Sequence, residues 1–481
     1  MIASFVLDEP RVDGNVVRFS WSVEPPTVLL RESAIELTFP PETDLARVPR
    51  GLLWTAMLAV LHPIWILLRP LRVRFPITLE AEEAARWQRL MRAGIETLEG
   101  IRETAFVEPC VFFAFDGPAL PSPEPAPERG ATASAFSGGK DSLLQACLLR
   151  EIGCDPLLVT VTSELPPLRD HLTVRRAELL RDVPLALGLA ATEVRTEARA
   201  LWDNGFAGRL GYGIAVSELT DTHLYFAALL IAGAAAGATH LFLASEADVQ
   251  TMDERDGALV QSPHFMYTVA TQAALAAIVA PYGITVSSLT APIFNAQVQR
   301  LLWTRYPQAA AFQYSCWRVT GDGQACSGCS QCLRIALGIL AAGHDPRRAG
   351  LDTDAVMAVA AAWEPKWIAS DGPQPVGARA RADLSAQLIE TVRSIDLALA
   401  ARLLGPAAFD AFLRLHRRLA AEPSKPTGMR PSFAGFLDPL VREPAMQVYT
   451  AAFPPPWSDD DATAYERSRA LADALATGGR G

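Results

Sequence analysis

Along the first 45 residues apolar and polar positions alternate. "NVVRFSWSV" and "SAIELTF" send successive side chains to opposite faces, next to turn chemistry at Asp13-Gly14-Asn15 and Pro25-Pro26, which predicts a small β element. The pattern then turns apolar throughout: "LLWTAMLAVLHPIWILL", Leu52–Leu68, runs 17 residues without a full charge between Arg47, Arg50, Arg69 and Arg72. That is the lower length limit for crossing a bilayer, and His62-Pro63 in its middle would leave backbone groups unpaired in lipid. Arginines at both ends give no orientation signal. The segment is expected to be a buried helix pair broken at Pro63, with no membrane partner. "TLEAEEAARWQRLMRAGIETLEGI" follows with helical spacing, Thr78 as N-cap and acidic residues in its first turns.

Residues 117–131 carry five prolines and no apolar period, the signature of a semi-rigid linker. Beyond it, "TASAF", "PLLVTVT", "TEVRTE", "THLFLAS" and "ITVSSLT" read as short apolar strands. Helical runs separate them, from about Asp141 and at about 171–188, 221–237 and 265–281. This alternation predicts an α/β fold with a parallel five-stranded sheet covered on both faces, which binds ligands at the carboxyl ends of its strands. After residue 346 the chain is alanine-rich and helical, broken by "FPPPWSDDD" before a last short helix. The divisions are an N-terminal α+β domain (1–116), the linker (117–131), the α/β domain (132–345) and a helical C-terminal region (346–481).

A chain of 481 residues, half of them apolar, can build two or three packed domains. The net charge of -10 gives no general attraction to nucleic acid, so no nucleic-acid partner is expected. Of seven cysteines, Cys316, Cys326, Cys329 and Cys332 fall within 17 residues, which favours a metal site in a reducing cytoplasm over a disulfide framework. "MIASFVLDEPRVDGN" meets an acidic pair before any apolar core, unlike a signal peptide, so a cytoplasmic location is expected.

"AFSGGKDSLLQ" (135–145) stands between a predicted strand and a predicted helix. Gly138 and Gly139 permit backbone angles that let successive N–H groups turn toward an anion, and the following helix adds its own free N–H groups. Ser137 and Ser142 offer hydroxyls and Lys140 a point charge. Asp141 would repel phosphate, so a helix-start or metal-bridging role suits it better. The spacing is not that of a Walker loop, which has four residues between its first glycine and the Gly-Lys pair. It resembles the SGGxDS loop of the ATP-pyrophosphatase superfamily, whose members cleave ATP between the α and β phosphates on a Rossmann-like nucleotide α-hydrolase core. The resemblance implies ATP and Mg2+ as cofactors. It makes Ser137, Gly138, Gly139, Lys140, Asp141 and Ser142 the nucleotide-binding residues, with Lys140, Asp141 and Ser142 acting in catalysis.

The cysteines are spaced C-x9-C-x2-C-x2-C ahead of a helix-like run. Four thiolates suit tetrahedral Zn2+ in a closed, structural site, with an iron–sulfur cluster as the rival. Loop and cysteines together, over about Thr132 to His344, are similar to the 7-cyano-7-deazaguanine synthase (QueC) family. Its Ser-Cys-aromatic string appears as Ser315-Cys316-Trp317 and its Cys-rich part as Cys326-Ser327-Gly328-Cys329 with Cys332. The resemblance implies adenylation of the carboxylate of 7-carboxy-7-deazaguanine or a relative, a deazaguanine-type substrate handled near Glu246 and Asp248, and attack by an amine. His223 and His264 read as caps or core histidines.

Two departures stand out: "APIFNAQVQRLL" offers Asn295 and Gln297 where a Lys-x-Glu stretch is expected, and "SELTDTHLYF" replaces an arginine–asparagine segment. Relatives enlarged like this chain occur in bacterial antiphage defence, where the resemblance implies transfer of the acyl group to an amine of a partner protein positioned by the flanking domains. The reading is therefore an AMP-forming carbon–nitrogen ligase, with a homodimer left open. The alternatives are nitrile synthesis with ammonia and tRNA sulfur transfer, against which the net charge and the cysteine spacing both count.

Overall fold

The computed structural model describes residues 4–26, 33–102, 112–121, 130–163, 174–198, 217–250, 252–255, 258–261, 265–316, 325–365, 378–422 and 428–478. Most of the proline-rich linker, the expected cap at His264 and Trp317 lie outside the described residues.

The N-terminal stretch forms β1 (Ser4–Leu7), β2 (Arg11–Asp13), β3 (Val16–Glu24), β4 (Ala34–Thr38), α1 (Arg50–Leu68), β5 (Arg72–Phe75), α2 (Ala81–Arg102) and β6 (Phe112–Phe115). The alternating region follows as β7 (Ala131–Ala135), α3 (Lys140–Glu151), β8 (Leu157–Thr162), α4 (Val174–Leu187), β9 (Ala191–Arg195), α5 (Ser217–Ala236) and β10 (Ala238–Phe242). A hairpin of β11 (Met252–Arg255) and β12 (Ala258–Gln261) leads to α6 (Val269–Val279), β13 (Thr285–Ser287), α7 (Asn295–Arg305) and α8 (Ser330–Ala341).

The fold is α/β, with a mostly parallel sheet. β13, β10, β7, β8 and β9 are parallel neighbours in that order. The sheet does not end at five strands as expected: through the pairing of Thr38 with Arg195, β9 joins β4 antiparallel, and β3, β1, β5 and β6 continue it to eleven strands with β2 alongside. The division at 117–131 thus separates two stretches of sequence that share one sheet.

Both faces are covered, and the strands show it residue by residue. Leu241 and Leu243 point into one core, which holds α1, α2, α5 and α6, while Phe242 between them points into another, which holds α3, α7 and α8. Side chains alternate across a strand, so apolar residues at consecutive positions bury both faces.

Helix α1 corrects the expectation of a break at Pro63. It is one helix of 19 residues with Pro63 inside it, ending where Arg69 takes a left-handed conformation (φ 48°) and donates its N–H to the Trp65 carbonyl. Proline removes one backbone hydrogen bond. Every side chain from Leu52 to Leu67 is buried, Trp54 and Trp65 completely, and that packing offsets the loss. Among the described residues α1 is the one helix long and apolar enough to cross a membrane, and 89% of its apolar window is buried inside the protein. Thr78 does not cap α2; it lies three residues ahead of Ala81, and its hydroxyl donates to the Gly117 carbonyl (2.7 Å).

The C-terminal region is helical, as α9 (Thr353–Ala362), α10 (Ala378–Ser394), α11 (Leu397–Leu403), α12 (Pro406–Ala420), α13 (Pro439–Ala452) and α14 (Asp461–Thr477). It packs on the α/β part of the chain. Val356, Ile389 and Phe412 share a core with Leu333 and Leu337 of α8.

Candidate functional site

After β7 the chain moves outward through β8 to β9, then crosses back to place β10 on the other side of β7. Strand order therefore reverses between β7 and β10, and in open α/β sheets ligands bind at the carboxyl ends beside such a reversal. The glycine loop leaves β7 at this point and the Glu246–Asp248 segment leaves β10, so two sequence motifs about 100 residues apart face each other.

Gly138 adopts φ +78°, a left-handed conformation that favours glycine, and a Cβ there would also displace the Leu179 methyl 2.1 Å away. Gly139 precedes the first turn of α3. Ser142 braces the turn: its Oγ accepts from Ser137 N–H (3.3 Å) and donates to the Gly139 carbonyl (3.1 Å). Gly139 N–H donates to Ser137 Oγ (3.3 Å).

Lys140, only 3% exposed, donates from Nζ to both carboxylate oxygens of Asp141 (2.6 Å each) and reaches Glu246 Oε1 (3.5 Å). Burial disfavours its charge, but the Asp141 and Glu246 carboxylates outweigh that and hold its pKa above the usual value. Burial and the neighbouring Glu246 push Asp141 up to about 7. Asp248 is raised by burial and Glu246 as well, although the Asn295 N–H and the Gln387 side-chain amide both donate to it at 2.5 Å. The three carboxylates thus share a buried site with two cations, Lys140 and Arg334. Among the described residues only the four cysteines gather three or more His, Cys, Asp or Glu side chains closely enough for a metal ion; here Asp141 and Glu246 instead meet at Lys140 Nζ.

The four cysteines form the second centre. Their sulfurs lie within 4.8 Å of one another, with Cys329 to Cys332 at 3.6 Å and Cys326 to Cys332 at 3.9 Å. Tetrahedral Zn2+ with ~2.3 Å Zn–S bonds sets sulfurs ~3.8 Å apart, so the cluster could hold a metal ion and fits zinc. Ser327, at φ 50°, turns the loop between them, and its Oγ accepts from Asp352 N–H (3.0 Å). Cys329 Sγ also accepts from Cys332 N–H (3.5 Å) at the start of α8.

The two centres touch. Tyr314 N–H donates to the Gly138 carbonyl (2.8 Å) and Ser315 Oγ accepts from Lys140 N–H (3.1 Å), so the two residues before Cys316 grip the glycine loop.

Sequence reasoning missed three contributors. Ser315 appeared only as part of a motif, not as a partner of the loop. Gln387 on α10 holds Asp248 and also accepts from Ala296 N–H (3.2 Å), a contact spanning 91 residues that no local signal marks. Arg334, two positions past Cys332 on the mostly buried α8, has its pKa lowered by burial, against the pull of Asp248 and Glu246. The one charge on a helix otherwise without any was the available signal. Of the noted departures, Asn295 supplies backbone to Asp248, and Gln297 accepts from Phe294 N–H (2.9 Å) to start α7. His223 is a core histidine with Nδ1 3.2 Å from the Ala59 carbonyl. Comparison with protein-family models, curated proteins and solved structures returns no significant match to this chain.

Proposed function

We propose that the chain is a cytoplasmic, AMP-forming ligase with a Rossmann-like nucleotide α-hydrolase core, related to the QueC family. It adenylates the carboxylate of 7-carboxy-7-deazaguanine or a relative and passes the acyl group to an amine of a partner protein. The observation that carries this reading is the contact of the SGGKDS loop, through Lys140, with Glu246 across the strand-order reversal.

In this scheme a substrate carboxylate oxygen attacks the α-phosphorus of ATP and pyrophosphate leaves. An amine nitrogen then attacks the acyl carbon, AMP leaves, and the ammonium proton passes to a base. The loop N–H groups and the start of α3 bind the phosphates, and Lys140 turns from Asp141 to them. Asp141 would hold Mg2+ together with the phosphates, since one or two carboxylates suffice where the substrate supplies the other oxygens, and the ion when bound would spread the phosphate charge. Zinc on the four cysteines is structural, because a four-sulfur shell leaves no open position.

Pyrophosphate release from ATP with 7-carboxy-7-deazaguanine tests the first half. Asp141→Asn is expected to reduce it by about 10² or more, the scale seen when one charge-stabilising group is lost; unchanged release removes the mechanism. A partner protein heavier by one deazaguanine amide supports the second half. Free nitrile made without a partner overturns it in favour of ammonia as nucleophile, and iron with labile sulfide in place of zinc would favour sulfur transfer.

A further inference from the structure

The loop that carries Glu246 and Asp248 is held by a residue far along the chain. Arg430, 2% exposed, lies between α12 and α13, and all three of its guanidinium nitrogens are used. Nε and Nη2 pair with Asp460 (3.3 and 2.7 Å), just ahead of α14. Nη1 donates to the carbonyl of Ala247, the residue between Glu246 and Asp248 (3.3 Å). The guanidinium also stands over the rings of Phe294 (4.9 Å) and Phe433 (5.6 Å).

Its backbone closes a ring of contacts. Arg430 N–H donates to the Pro292 carbonyl (2.7 Å), and Ala247 N–H donates to the Ile293 carbonyl next to it (2.9 Å). One residue thus ties the loop after β10 to the loop after β13, at the same end of the sheet as the glycine loop. A buried ion pair is a weak source of stability, because desolvation offsets most of its attraction, whereas the rigid fork of an arginine fixes geometry. What this fork fixes is the backbone at Ala247. One residue earlier, Glu246 reaches Lys140 Nζ (3.5 Å); one residue later, Asp248 accepts from Gln387, which also belongs to the C-terminal region.

We infer that Arg430 is a positioning residue, through which the helical C-terminal region fixes the Glu246–Asp248 loop against Lys140. Its effect on the reaction rests on the proposed reading of the site; the hold on the loop does not. Arg430→Met keeps the aliphatic length between Phe294 and Phe433 but loses the fork. The control, Asp461→Asn, disturbs the same corner through Ser432 and touches neither loop. Pyrophosphate release and hydrogen–deuterium exchange of the full chain are the readouts. In Arg430→Met, kcat is expected to fall about ten- to a hundredfold with KM for ATP within about twofold, since a misplaced group costs rate while the glycine loop keeps its own contacts. Backbone amides of residues 245–250 should exchange at least about tenfold faster, and those of residues 135–142 at the parent's rate. Asp461→Asn should leave both readouts at the parent's values. Arg430→Lys, which keeps a charge beside Asp460 without the fork, takes the place of the methionine variant if that does not fold. An unchanged kcat, or the same losses in Asp461→Asn, would overturn the inference. If the parent itself releases no pyrophosphate, the proposed reaction fails and exchange alone decides: unchanged protection of residues 245–250 in the Arg430 variant overturns the hold.

Discussion

Ser315→Ala tests whether the cysteine cluster supports the glycine loop. Ser315 Oγ accepts from Lys140 N–H (3.1 Å) and from Gln313 Nε2 (3.2 Å). Without it Gln313 keeps Gln299 Oε1 (3.0 Å), so the main loss falls on the Lys140 N–H, one of the α3 amides that no turn of its own helix can satisfy. An orphaned buried donor costs about 1–3 kcal/mol. The Tyr314–Gly138 backbone bond remains and Gly139 is open enough to admit water, which puts the cost near ~1–1.5 kcal/mol. If that energy is lost from the phosphate-binding conformation, ATP affinity falls about five- to tenfold. Calorimetric titration with Mg-ATP measures this, and metal content and Tm serve as controls. Zinc should stay bound, and Tm should fall by only a few degrees, since ~1 kcal/mol moves a large domain about 2–4 °C. A folded, metal-loaded variant with ATP affinity within about twofold of the parent would refute the coupling.

Three further outcomes are expected. Cys332→Ala removes a fully buried ligand and should empty the site, since structural zinc contributes ~10–16 kcal/mol of apparent binding in small domains; elemental analysis should find less than about 0.1 metal per chain, with a marked fall in Tm. Gln387→Ala leaves Asp248 and the Ala296 N–H each short of a partner, at a cost of about 1–3 kcal/mol, and a melting curve superimposable on the parent's would contradict the contact. His223 is lowered by burial from 6.5 to about 4. The unfolded chain therefore binds its proton first, so the stability from keeping this imidazole neutral is present above pH 6.5 and is lost as pH falls from 6.5 toward 4, by up to ~3 kcal/mol. Urea unfolding across that interval should show a shallower acid loss in His223→Leu, and an identical slope would contradict it.

The parts of the fold written in neighbouring residues were legible in the sequence. Apolar runs marked β7, β8 and β10 because parallel strands are buried on both faces, and the glycine loop and cysteine spacing are local by nature. What could not be read depends on distant pairs. The sheet grows to eleven strands through Thr38 and Arg195, and nothing in "SAIELTF" tells which edge it will join. Proline's local preference argued for a break in α1, and packing on all sides overrode it. At the site, the glutamine that orients Asp248 comes from a region whose composition suggested only helix.

The setting of α1 bears on how the chain is made. A helix apolar on every side must be covered, and α5, packed against it, begins about 150 residues later in the chain. At roughly 5–20 residues per second, α1 leaves the ribosome on the order of 7–30 s before α5 exists. During that interval β1, β5 and α2 can cover part of it, but the face that α5 buries stays exposed on a helix long enough to cross a bilayer. Slowing translation between residues 68 and 217 should therefore lower the yield of folded protein without altering the finished molecule.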